Sequence, residues 1–205
     1  MSFLAFLLTA TLLALTPGPG IAYVVARTVA GGRAEGLASC LGTGIGGLIH
    51  VAAAALGLSV LIAQSAVAFD MVKYVGAAYL VYLGIRMLTR KMQDSTAPRA
   101  ESRGATRAFA QGIAVETLNV KTALFFLAFL PQFLSTPDPS MAQVVLLGGI
   151  CVALNTLVDV AAVLMADRLL AAGPARAARA RLMTQSSGVV MVGLGLFLAL
   201  ARRDA

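Results

Sequence analysis

Tryptophan is absent from this 205-residue chain, histidine occurs once and cysteine twice. With no second His or paired Cys at ligand spacing, His50 offers no basis for a metal site. Cys40 and Cys151 lie in apolar, small-residue stretches without redox spacing, so neither a disulfide nor a metal is expected. No Gly-x4-Gly-Lys-Ser/Thr run is present to cradle a nucleoside triphosphate, and no Gly-x-Ser-x-Gly to present a nucleophile. Together these gaps argue against an ATPase or a hydrolase and give no cofactor a place. Charge is scarce as well: 12% of residues are charged, against ~25% in soluble domains. The net charge of +7 does not point to nucleic acid, because the basic residues fall between apolar runs without interleaved aromatics.

Apolar residues make up 59% of the chain and gather in six runs, at about 3–26, 37–63, 67–88, 109–134, 141–166 and 185–201. A bilayer takes ~20 apolar residues to cross as a helix. The pattern predicts an all-α membrane protein of six transmembrane helices, the sixth being short. The N-terminal run lacks a basic n-region and reaches Pro-Gly-Pro rather than a small-residue cleavage site, so it is expected to stay as the first span.

Lys and Arg set the orientation. Arg27, Arg33, Arg86, Arg90, Lys91, Arg99, Arg103, Arg107, Arg168, Arg176, Arg179 and Arg181 follow odd-numbered runs. Only Lys73, Arg202 and Arg203 lie on the other side. The bias predicts a cytoplasmic first set and periplasmic termini. If only five runs cross, the C-terminus lies inside, which Arg202 and Arg203 would favour.

The one polar linker, 92–107, separates residues 1–91 from 108–205 within a single transporter domain. Three runs in each half mean that the halves enter the membrane in opposite directions, the plan of an inverted repeat. A common glycine rhythm runs through Gly76 and Gly84 in the third run and Gly188 and Gly195 in the sixth.

Inside the first run stands Thr16-Pro17-Gly18-Pro19-Gly20. A proline in a helix costs ~3 kcal/mol, and in lipid the freed backbone groups must face protein or a watery cavity. A broken first helix is therefore expected, its counterpart in the second half being the polar interruption Glu116-Thr-Leu-Asn119-Val-Lys121. Paired breaks of this kind point to a central site.

Ionisable groups within spans cost ~2.5–3.5 kcal/mol each on insertion scales. Glu116, Asn119 and Lys121 form either a site for a zwitterion and its proton or an ion pair locking two helices. Asn155 and Asp159 share a face of the fifth run, and Asp159 is either a proton carrier or a carboxylate satisfied by a neighbouring helix's hydroxyls. Gly42 and Gly46 form a small-residue stripe for close helix approach, within or between chains. His50 continues that stripe, as a hydrogen-bonding residue or a proton relay. Asp70 and Lys73 are expected in the connection between runs two and three, near solvent.

The chain resembles the LysE/RhtB family of bacterial amino-acid exporters. The likeness rests on Leu15-Thr16-Pro17-Gly18-Pro19, on Arg33-Ala-Glu-Gly36 through Gly42-x-Gly44-x-Gly46, and on Gly76-Ala-Ala-Tyr79 through Arg86. Leu118-Asn119-Val120-Lys121 followed by Phe125-Phe126 through Phe133 completes it. The family usually has Asn-Pro-Lys where this chain has Asn119-Val120-Lys121. Without that proline, the fourth span is expected to contribute side chains rather than a sharp break.

The resemblance implies export of amino acids or similar metabolites across the inner membrane, driven by the proton-motive force. In that scheme Thr16, Pro17, Gly18, Pro19, Asn119, Lys121 and Asn155 bind substrate, with Glu116, Asp159 or His50 carrying protons. The carbonyls of Leu13 and Leu15, opposite the missing proline donors, would accept the substrate's ammonium. A membrane-embedded enzyme and a passive channel are the alternatives from other classes.

Overall fold

The computed structural model describes residues 2–64, 66–89, 101–134, 141–166 and 175–200, and every regular element among them is helical. Helix α1 spans Phe3–Leu15, α2 Pro19–Gln64, α3 Ala66–Thr89, α4 Ala105–Thr117, α5 Val120–Leu124, α6 Met141–Leu164 and α7 Ala175–Leu200. A π-helical turn, Phe125–Phe129, and a 3₁₀ turn, Leu130–Phe133, continue α5. Of the linker, 92–100 lies outside the described residues, as do the basic residues Arg90, Lys91, Arg99, Arg168, Arg202 and Arg203 and the side chain of Asp70.

Both ends of α1 follow from local chemistry. Ser2 caps its start, the hydroxyl accepting from Ala5 N. Thr16 ends it in an extended conformation (φ −76°, ψ 114°), as a residue before proline must. Pro19 then opens α2, a position where its missing amide hydrogen is not needed.

A loop was expected between the first two runs, but Gly32 alone makes the connection. At φ 74° it takes a conformation open mainly to glycine. Neighbours show that the chain reverses there. Going up the chain, 20–27 meets α4 and the residues before it in descending order, with Tyr23 bonded to Ala108 O and Arg27 to Glu101 O. Residues 39–46 meet α4 in ascending order, from Gly112 to Thr117.

Gly42 and Gly46 are used within the chain. A Cβ on Gly42 would collide with the Phe109 carbonyl, and one on Gly46 would lie 2.8 Å from Ile113 O. Two backbones thus touch where side chains are missing, the packing available when lipid supplies no hydrophobic drive between helices. Residues 36–51 also run antiparallel to α6, Gly36 facing Val163 and Gly148 facing Val51.

The glycine rhythm of the third and sixth runs joins α3 to α7. Positions for Cβ atoms on Gly84 and Gly195 lie 2.6 Å from Gly188 O and 2.8 Å from Ala77 O. Gly76 packs on Ala128 and Leu198. Helix α7 begins ten residues before the apolar run that marks it, because Ala and Arg are strong helix formers without being membrane-like.

The hub of the core is 125–133. Phe125, Phe126, Phe129 and Phe133 are buried against Phe6, Leu13, Val51, Leu80, Val144 and Leu198. Phe6 meets Phe133 edge-on at 5.5 Å, and Phe125 stacks on Phe129 at 5.9 Å. Large apolar side chains such as Leu41, Leu157 and Leu200 face outward, as lipid-facing residues do.

By length and composition, Pro19–Gly57 and Met141–Leu164 can cross a membrane, and Ala105–Thr117 with Val120–Phe133 makes a third, bent by 44°. Phe3–Leu15 and Gly188–Leu200 are shorter apolar helices. Lys73 departs from expectation. Helix α3 begins at Ala66, so Lys73 lies two turns inside it, buried, with its ammonium 4.6 Å from the centre of the Tyr74 ring.

Close packing at Gly42 is expected to be required. Gly42→Ala should lower the unfolding free energy in detergent by about 1–3 kcal/mol. Gly149→Ala, where a Cβ meets nothing within 4 Å, should leave it within about 0.5 kcal/mol.

Candidate functional site

Two chain breaks meet in the interior. The first is 16–18, between α1 and α2. The second is Leu118–Asn119, between α4 and α5, and it forms without the proline expected to be needed. Asn119 makes it instead. In an extended conformation (φ −75°, ψ 102°), its Oδ1 accepts from Lys121 N at 3.1 Å and starts a new helix. Its Nδ2 donates to Glu116 Oε2 at 3.0 Å, and Thr122 Oγ1 donates to Glu116 Oε1 at 2.6 Å. The buried carboxylate of Glu116 thus staples the two sides of the break together. The fourth run is broken as well as rich in side chains, contrary to expectation.

Lys121 crosses from the second break to the first. Its ammonium donates to Leu13 O at 3.0 Å and Thr16 O at 2.8 Å. Leu13 O lacks its usual i+4 donor because Pro17 has no amide hydrogen; it keeps a 3.2 Å bond from Thr16 N, shared with Leu12 O, and has capacity left for the ammonium. Thr16 O, rather than the expected Leu15 O, is the second acceptor, because Gly20 lies in the first turn of α2 and makes no helical bond back across the break. The lysine stem lies against Gly18, where a Cβ would come 3.3 Å from Nζ. Gly20 is small for a similar reason, since a Cβ there would stand 2.7 Å from Glu116 Oε2.

A pocket opens beside this crossing, enclosing ≈ 400 Å³ of space between atoms, its mouth included. Gly18, Gly20, Glu116, Asn119, Lys121 and Thr122 line one side; Thr43, Gly44, Gly47, Val152, Asn155, Thr156 and Asp159 line the other. Asp159 Oδ2 lies 2.9 Å from Thr43 Oγ1, whose proton is shared with Cys40 O at 3.0 Å. The Asn155 side chain makes no hydrogen bond among the described residues, which leaves its amide open to the pocket.

Most of the expected site residues come together here. Thr16, Pro17 and Pro19 shape the break without lining the pocket, and Leu13 O and Thr16 O lie behind the Lys121 ammonium. His50 stands behind it, its Nε2 2.9 Å from Glu116 O and its ring stacked on Phe126 at 6.0 Å, the geometry of a satisfied hydrogen-bonding residue. No cluster of three or more metal-ligating side chains occurs among the described residues.

One polar cluster has no forewarning in the sequence. Glu35 Oε1 accepts from Ser102 Oγ at 2.5 Å, Gly104 N at 2.8 Å and Arg103 N at 3.0 Å, while Oε2 stands 3.6 Å from Arg27. Gly31 leaves room for the carboxylate. This clasp ties the reversal at Gly32 to the start of α4.

The LysE type translocator family matches residues 11–202. The chain belongs to the LysE type translocator family. Similar proteins include the homoserine/homoserine lactone efflux proteins of Salmonella typhi and Salmonella typhimurium, each 33% identical over 204 residues, covering 97% of this chain and 96% of the relative. A membrane protein of Vibrio cholerae is 29% identical over 98% of this chain and 97% of its own length. No solved structure matches. As a LysE type translocator, the chain is a membrane transporter and not an enzyme.

Asn119 is the residue on which the second break depends. Asn119→Ala should destabilise the detergent-solubilised protein by about 1–2 kcal/mol through the lost cap and the lost bond to Glu116. Asn119→Ser, which keeps a capping oxygen, should recover part of that loss in thermal unfolding.

Proposed function

We propose that this translocator exports small amine-bearing metabolites, amino acids or their close derivatives, across the bacterial inner membrane in exchange for protons. The observation that carries this reading is the meeting of two broken helices over a pocket holding one ammonium, two carboxylates and an open amide. Half-helix ends supply backbone acceptors and donors to a charged cargo without placing extra ions in lipid. The similar Salmonella proteins are named for homoserine and homoserine lactone efflux, which makes those two compounds the first to try.

In the proposed architecture six spans form two inverted halves, 1–91 and 108–205, within one domain. The antiparallel contacts support it: the first run packs on the fourth, the second on the fifth and the third on the sixth. A twofold axis in the membrane plane would generate that set of pairings. The basic excess favours a cytoplasmic linker and periplasmic termini. Homo-oligomers stay open to outward-facing surfaces, since Gly42 and Gly46 are already used internally.

Within the site, Leu13 O and Thr16 O receive the cargo's ammonium. Lys121 and the amide of Asn155 face its polar end, with Gly18 and Asn119 shaping the floor. Asp159 carries the coupled proton. It lies across the pocket from the breaks and has one hydroxyl partner, so gaining or losing a proton there need not break a helix staple. Glu116 is bonded on both oxygens and is better suited to hold the break.

Proteoliposomes loaded with radiolabelled homoserine or its lactone test this reading. Wild-type protein should show counterflow and an efflux speeded by an inward proton gradient. Asp159→Asn should keep counterflow while losing the response to the gradient. No movement above protein-free vesicles would overturn the function, and gradient-independent flux in the wild type would favour a passive channel.

A further inference from the structure

Lys121 places an ammonium on two carbonyls at the chain break that lack an i+4 donor. Its Nζ rests on Leu13 O and Thr16 O, two neutral acceptors. Among the described residues no carboxylate lies within ion-pairing distance of it, although Glu116 and Asp159 line the same pocket. Glu116 is held by Thr122 and Asn119, and Asp159 by Thr43. Replacing this ammonium by another cation of like size would break no ion pair, and buried ion pairs are the costly ones to break. The stem lies on the bare backbone of Gly18, with no side chain there to pin it.

We propose that Lys121 is a tethered stand-in for the cargo's ammonium. It occupies the Leu13 and Thr16 carbonyls while the pocket is empty, and the cargo's amine displaces it. This rests on the reading of the pocket as an amine site. The two ammonium groups cannot share the same acceptors, since like charges at that range repel strongly away from water. Once displaced, Lys121 meets the cargo's carboxylate if there is one. A zwitterion therefore repays the displacement with a second contact, whereas an amine lacking a carboxylate leaves Lys121 without an anionic partner. Lys121 is thereby a specificity-determining residue, favouring free amino acids over their lactones, esters or amides.

Binding to the purified protein in nanodiscs tests this, with L-homoserine and L-homoserine lactone as probes. Lys121→Met keeps the length of the side chain but removes both the competitor for the carbonyls and the partner for the carboxylate. The lactone should bind about tenfold tighter to the variant than to the wild type, and homoserine no tighter or weaker. An equal loss for both ligands, or no change for either, would overturn the proposal.

If the Met variant fails to fold, the wild type still decides. Reductive methylation of Lys121, read by mass spectrometry, should be slow in the empty protein and faster with lactone bound. An unchanged or slower rate would contradict displacement. Should neither probe bind the wild type, the amine-site reading falls and this role falls with it. Binding of both, with unaltered selectivity in the variant, removes only the role of Lys121.

Discussion

A buried ammonium must be matched by acceptors, and in this chain the acceptors are made by breaking a helix. Lys121 could not lie in the apolar interior unless Leu13 and Thr16 offered carbonyls with acceptor capacity that the helix end does not fill. Both lack an i+4 donor, because Pro17 has no amide hydrogen and Pro19 restarts the chain as α2. Each irregularity answers the other. Leaving Thr16 O unpaired in an apolar surround would cost a few kcal/mol, and leaving the ammonium unpaired more.

From that contact the surrounding packing follows. Bringing the two breaks together draws the first part of α2 against α4, and Gly18 and Gly20 are glycine because Lys121 and Glu116 occupy the space of their missing side chains. The second part of α2 then approaches α4 through Gly42 and Gly112, where backbone touches backbone. Asp159 and Asn155 on α6 close the far wall. Glu116, Asn119, Lys121, Thr122, Asn155 and Asp159 are thus gathered in one chamber, while lipid-facing positions carry Leu, Ile and Val, the division expected of a membrane translocator.

Much of this is readable from the residues alone. Prolines in an apolar run, and a Glu-Asn-Lys cluster in another, are departures large enough to identify both breaks and the residues around the pocket. What escapes is what depends on partners distant in sequence. Val120 in place of a proline suggested an unbroken fourth span, yet Asn119 caps a new helix using its own side chain. Cap strength at one residue is not visible as hydropathy. Lys73 looked interfacial because charge suggests water, but a neighbouring aromatic ring and helix packing cover it. Glu35 gave no sign of its role, since its partners Ser102, Arg103 and Gly104 lie far along the chain.

The central claim is that the carbonyls freed at the first break are the seat of the cargo's ammonium. An experimental structure of the protein with homoserine bound tests it most directly. The account predicts the ligand nitrogen within hydrogen-bond distance of Leu13 O and Thr16 O, with Lys121 moved onto the ligand's carboxylate. A bound ligand elsewhere, with Lys121 still seated on those two carbonyls, would contradict it.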